Sequence, residues 1–110
     1  MERNLYLVFS NPVEGKEDQY NEWYDNVHLA DVMRIPGVVS AARYDFRPTS
    51  FGEATAAPTE HRYLAVFELD REPEEVLTEM GNRAGTPEMM ISEAMNFDTV
   101  QSCVWKLRDA

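Results

Sequence analysis

The chain has 110 residues, 44% of them hydrophobic and 11% aromatic, which predicts one folded domain with a modest core and excludes a disordered chain. Its formal net charge of -10, from 20 acidic and 10 basic residues, argues against nucleic acid and against an anionic membrane as partners, since both require a basic surface. Cys103 is the single cysteine, so an internal disulfide and a cysteine-rich zinc site are excluded. No apolar run approaches the roughly 20 residues of a membrane span, and the N-terminal run lacks a signal-peptide pattern, so a cytoplasmic location is the expectation.

Leu5-Tyr6-Leu7-Val8-Phe9-Ser10 reads as a strand, closed by Asn11-Pro12. A loop containing Gly15 leads to a helix from Glu17 to about Arg34, with Glu17 and Asp18 favouring its N-terminus. Pro36 removes Ile35 from helical geometry, and Gly37 permits the turn that follows. Val38 to Phe46 is a second strand. Arg47 to His61, with its prolines and small residues, reads as a long loop suited to a lid. Arg62 to Leu69 is a third strand. A second helix starts at Asp70-Arg71-Glu72-Pro73, with Asp70 as the expected N-cap, and runs to about Asn82. Thr86-Pro87-Glu88 reads as the start of a further short helix to about Met95. Phe97 to Leu107 is the last strand.

This order, β-α-β-β-α-β, is the ferredoxin-like α+β arrangement, an antiparallel sheet with helices on one face. The strands carry apolar residues on both faces. The third directs Leu64 and Val66 to one side and Tyr63, Ala65, Phe67 and Leu69 to the other; the fourth directs Val100 and Val104 to one side and Phe97, Cys103, Trp105 and Leu107 to the other. Helices on one face leave the second apolar face to be covered, and a copy of the same sheet is the simplest cover, so a homodimer is expected.

The first helix holds the most informative residues. At about 100° per residue, Tyr20, Trp23, Tyr24, Val27 and Asp31 fall on one arc, with His28 at its margin. Packing against the sheet accounts for the aromatic members. Asp31 is anomalous there, because a carboxylate on an apolar arc requires a partner. His28, three residues earlier, is within reach. A histidine with a carboxylate beside it suits general acid-base catalysis; alternatively, Asp31 is solvated beyond the helix end and His28 is a margin residue.

Arg43 is unexpected in a strand and can meet an acidic substrate or a neighbouring carboxylate. Gln101 and Thr99 can supply hydrogen bonds to a pocket or to cross-strand pairs. His61 reads as solvated, Cys103 as a small core residue, and Met89, Met90 and Met95 as core or pocket wall. There is no phosphate loop, nucleophile elbow or metal motif in the sequence, and the two histidines lie far apart.

Several of these residues fall into a family pattern. Phe9-Ser10-Asn11-Pro12, the run from Tyr20 to Asp31 with its Trp23-Tyr24, His28 and Asp31, then Ile35-Pro36-Gly37-Val38 and Arg43-Tyr44, resemble the EthD-like branch of the dimeric α+β barrel superfamily. The resemblance spans the first strand, first helix and second strand; the C-terminal half matches only in element order. Ala30 departs from the pattern, which often has proline there.

The resemblance implies a homodimeric α+β barrel with a cofactor-free site for a small apolar or aromatic compound between sheet and helices. The family histidine and acidic position fall on His28 and Asp31, the expected catalytic pair; Trp23, Tyr24, Arg43, Tyr44 and Gln101 are expected around the substrate, with no metal. The chemistry implied is that of an isomerase, cyclase, decarboxylase or lyase. A binding protein for a hydrophobic metabolite, and a cofactor-independent or heme-linked monooxygenase, stand as alternatives.

Overall fold

The structure, a computed structural model, describes residues 3–49 and 60–108. Strand β1 (Asn4–Ser10) leads into α1 (Glu17–Trp23), a π-helical turn (Tyr24–His28) and α2 (Leu29–Met33), which are continuous. Then follow β2 (Val38–Asp45), β3 (Tyr63–Leu69), α3 (Pro73–Arg83) and β4 (Gln101–Lys106). The four strands form one antiparallel sheet in the order β2-β3-β1-β4. The ferredoxin-like α+β class is therefore the observed one. The expected long loop, Arg47 to His61, has its central part (50–59) outside the described residues.

Residues paired across strands share a face of the sheet. Tyr6 pairs with Phe67 and Val104, and Val8 with Ala65 and Ser102. Ala41 and Arg43 pair with Phe67 and Ala65. This is the helix-covered face, where Ala65, Phe67 and Leu69 are buried with Tyr20, Trp23, Tyr24, Val32, Ile35 and Val76. A bulge between Val38 and Ser40 lets both Val38 and Ala41 point to this face. The other face carries Leu5, Leu7, Phe9, Leu64, Val66, Tyr44 and Trp105. No element among the described residues lies over that face, and Tyr44 and Trp105 are 55% and 61% exposed there. The two-faced apolar pattern expected from the strands is thus present.

Three local expectations change. No helix follows Thr86. Instead, Val13 donates to the Ala94 carbonyl at 2.7 Å, Asn96 to that of Asn11 at 2.9 Å, and Gly85 to that of Met89 at 2.8 Å. These bonds hold the segment, a series of turns and isolated bridges, against the β1–α1 connection and the end of α3, so its backbone groups are already paired outside any helix. The N-cap of α3 is Glu72, whose carboxylate accepts from the Glu74 N–H at 3.4 Å, with Pro73 in the first turn; Asp70 accepts from Arg71 instead. Cys103 is exposed on the open face, where the Trp105 indole N–H donates to its Sγ at 3.1 Å.

Candidate functional site

The π-helical turn decides where the histidine goes. An i→i+5 turn holds about one residue more than an α-turn, so everything after it is rotated back relative to a regular helix. The inward series becomes Tyr20, Tyr24, His28, Val32 and Ile35, while Val27, expected on the packing arc, is 42% exposed. His28 has moved from the margin to line a cavity, and Asp31 is buried, 9% exposed. Arg34 donates to Asp31 Oδ1, which supplies the partner that a nearly buried carboxylate requires.

His28 lines a cavity of about 150 Å³. Its walls are apolar: Tyr6 and Val8 from β1, Phe67 from β3, Met80 and Ala84 from α3 and its end, and Met89, Ile91, Met95 and Phe97 from the segment that follows. An apolar cavity of roughly this volume holds one benzene ring. The imidazole stacks on Trp23, with centroids 4.5 Å apart and an interplanar angle of 25°. Tyr24 meets it edge-on at 5.2 Å. The Trp23 indole N–H donates to the Met90 carbonyl at 2.9 Å, which fixes the ring against which His28 rests.

Burial lowers the His28 pKa from 6.5 to about 4, and the field of Asp31 opposes that shift without cancelling it. At neutral pH the imidazole is therefore uncharged. Its Nδ1 is buried and has no hydrogen-bond partner among the described residues. No hydrogen bond joins His28 to Asp31 among those residues, so the acidic neighbour acts on the imidazole through its field.

Trp23, Tyr24 and His28 therefore meet around one cavity. Arg43 reaches the back of the same aromatic cluster, its guanidinium carbon 4.4 Å from the Tyr24 ring centre. The register puts Tyr44 opposite Leu64 and Gln101 opposite Phe9, both on the open face of the sheet, away from the cavity within one chain. Alternation along a strand separates Arg43 from Tyr44 as neighbours on opposite faces. His61 is 6% exposed rather than solvated, and its Nε2–H donates to the Thr99 carbonyl at 2.7 Å.

Of the methionines, Met89 and Met95 are wall residues as expected, whereas Met90 is 55% exposed and contributes its carbonyl. The wall residues from β1 and α3, and Ile91 and Phe97 after it, were absent from the sequence-based candidates. The alternating Tyr6 and Val8 were the available signal for two of them.

Among the described residues no cluster of three metal-ligating side chains exists, and no helix is long and apolar enough to cross a membrane. No family model matches the chain. No curated protein matches it either. Two solved structures are similar over nearly the whole chain. One is an ethyl tert-butyl ether D (EthD) family protein from Bacillus halodurans, with a TM-score of 0.60 and 13% identity, covering 98% of this chain and 100% of its own. The other is a "putative monooxygenase" from Shewanella loihica, with a TM-score of 0.59 and 11% identity, covering 100% of this chain and 99% of its own. At these identities the likeness is one of fold: the chain shares the ferredoxin-like α+β architecture of these two structures, and its histidine cavity lies between the sheet and the helices.

Proposed function

We propose that this protein is a cofactor-independent enzyme in which His28 is a general base acting on a small, largely apolar, ring-sized compound. One observation carries the reading: a neutral imidazole lines an apolar cavity of about 150 Å³. A neutral imidazole keeps one ring nitrogen unprotonated, which can take a proton from a bound molecule. The pKa near 4 makes His28 a base in the resting protein and not an acid. Once His28 has taken the proton, the nearby Asp31 carboxylate favours the imidazolium, and the same proton can be returned at another position. Isomerisation, cyclisation, decarboxylation and elimination all follow this pattern. Trp23 and Tyr24 hold the imidazole in place.

The test begins with mass spectrometry of the small molecule that co-purifies with the protein. With that compound, His28→Ala is expected to lower turnover about a hundredfold or more while ligand affinity is retained. Undiminished turnover in the variant rejects the base. A tightly held compound that the wild-type protein leaves unchanged assigns the cavity to a carrier instead.

The same proposal includes a homodimer formed through the open sheet face. Support comes from the uncovered apolar side chains there, Trp105 and Tyr44 among them, since a contiguous exposed apolar patch marks an interaction surface. Sedimentation of the wild-type protein at micromolar concentration is expected to give a dimer, and Trp105→Glu a monomer. A wild-type monomer rejects this assembly.

A further inference from the structure

No lysine, arginine, aspartate or glutamate lines the cavity beside His28. A compound entering it with a charge gives up its hydration and meets no counter-charge, so the cavity suits an uncharged ring. The same lack of charge sets a requirement on the reaction. When His28 takes a proton from an uncharged compound, negative charge develops on that compound. An apolar wall does not stabilise it, and a positioned hydrogen-bond donor does.

Besides His28, only Trp23, Tyr24 and Tyr6 among the lining side chains carry an N–H or O–H. The Trp23 indole N–H already donates to the Met90 carbonyl at 2.9 Å. The Tyr24 hydroxyl is turned to Ser10, and Tyr24 is 1% exposed. Tyr6 is left. It is half-buried, and its hydroxyl makes no hydrogen bond with any described residue. Tyr6 stands opposite Phe67 on the helix-covered face, and its ring stacks on that of Phe67 with centroids 6.1 Å apart and an interplanar angle of 29°. Its hydroxyl is near enough to that of Tyr24 for its field to act there. An unused donor on a ring held by two paired strands is preorganised, as stabilisation of a developing oxyanion requires.

We infer that Tyr6 is a second catalytic residue, its hydroxyl donating to the carbonyl oxygen of an uncharged, enolisable ring compound, a ketone or lactone, from which His28 takes a proton. The inference rests on the reading of His28 as a base. In the step, the imidazole lone pair takes a proton from the carbon beside the carbonyl. The C–H electron pair becomes the new carbon–carbon bond of the enolate, and the carbonyl π pair moves to oxygen. The Tyr6 O–H donates to that oxygen and keeps its proton. The imidazolium then returns a proton to carbon, the electron pairs move back, and no other reactant is consumed.

Cyclohexanone is the probe. Its carbonyl stretch reports the donor, and deuterium uptake at its α carbons in heavy water, read by mass spectrometry, reports the base. The bound carbonyl band of the wild-type protein is expected at lower frequency than that of Tyr6→Phe, a variant that keeps the ring and its stack on Phe67. Uptake is expected to fall about a hundredfold in Tyr6→Phe and to be lost in His28→Ala. The two roles fail separately. A carbonyl band at the same position in wild type and Tyr6→Phe, or equal uptake by the two, overturns the role of Tyr6 whatever His28 does. No bound carbonyl band under millimolar cyclohexanone overturns it as well. A band that depends on Tyr6, without uptake by the wild-type protein, supports the Tyr6 donor and rejects His28 as the base.

Discussion

Acidification from pH 7 through about pH 4 is expected to cost the wild-type protein about 3 kcal/mol more stability than it costs a His28→Phe variant. The folded-state pKa of His28 is about 4, against 6.5 for the unfolded chain. Above pH 6.5 the imidazole is neutral in both states and contributes no pH dependence. Between 6.5 and 4 the unfolded chain binds a proton that the folded protein refuses, so stability falls as pH falls through this window. Below about 4 both states are protonated and the difference is constant. At roughly 1.4 kcal/mol per pKa unit, the interval amounts to about 3 kcal/mol.

Phenylalanine keeps an aromatic side chain in the cavity and removes the titration, so carboxylates common to both proteins cancel in the comparison. Urea unfolding at a series of pH values measures it. Parallel stability curves for the two proteins would show that His28 titrates as a solvated histidine does, and would remove the basis for treating it as a neutral base.

Gly37→Ala is expected to destabilise the fold by about 2 to 5 kcal/mol. Ile35, Pro36, Gly37 and Val38 form the turn between α2 and β2, closed by the Val38 N–H to the Ile35 carbonyl at 3.1 Å. Proline followed by a glycine at positive φ is the pattern of a type II turn, and φ here is 101°. A Cβ on Gly37 would lie 2.8 Å from both Arg71 Cδ and Val76 Cγ2. The strained backbone costs about 1 to 3 kcal/mol and the overlap a similar amount.

The Arg71 side chain is long and can move; Val76 is 1% exposed and cannot move freely. Combining Gly37→Ala with Val76→Ala therefore relieves part of the overlap and none of the backbone strain, a coupling that a double-mutant cycle reads. Gly81→Ala is the opposite case. It lies within α3 with open space around its Cα, and the change is expected to stabilise by about 0.5 to 1 kcal/mol. Chemical denaturation of the four variants tests both signs.

Strand and helix order was legible because each element carries a local signature. The strands are short runs of β-branched and aromatic residues, Glu17 and Asp18 mark a helix start, and Pro36-Gly37 marks a stop and turn. The segment after Thr86 misled for a related reason. Its Thr-Pro-Glu start is a genuine local signal for a helix, but Val13, Asn11 and Gly85 take up its backbone groups from a distance. Sequence periodicity contains no information about such long-range partners.

The candidate site shows the same division. Trp23, Tyr24 and His28 stood out from residue type and spacing, and the structure groups them around one cavity. Tyr44 and Gln101 lie elsewhere because strand register, which places Leu64 and Phe9 opposite them, is fixed by pairing between distant segments. Burial of His61 is likewise a product of its contact with Phe9 and Thr99.

By itself the sequence determined the element order, the two-faced apolar sheet and a helix that bears one histidine among aromatics. Only the tertiary structure decided which way that histidine points. A regular helix of 100° per residue puts Val27 inside and His28 at the margin. The π-helical turn exchanges them, and the Arg43–Asp25 pair ties that turn to β2. A single extra residue in a turn carries little local sequence signal, but its rotation delivers the imidazole to the cavity.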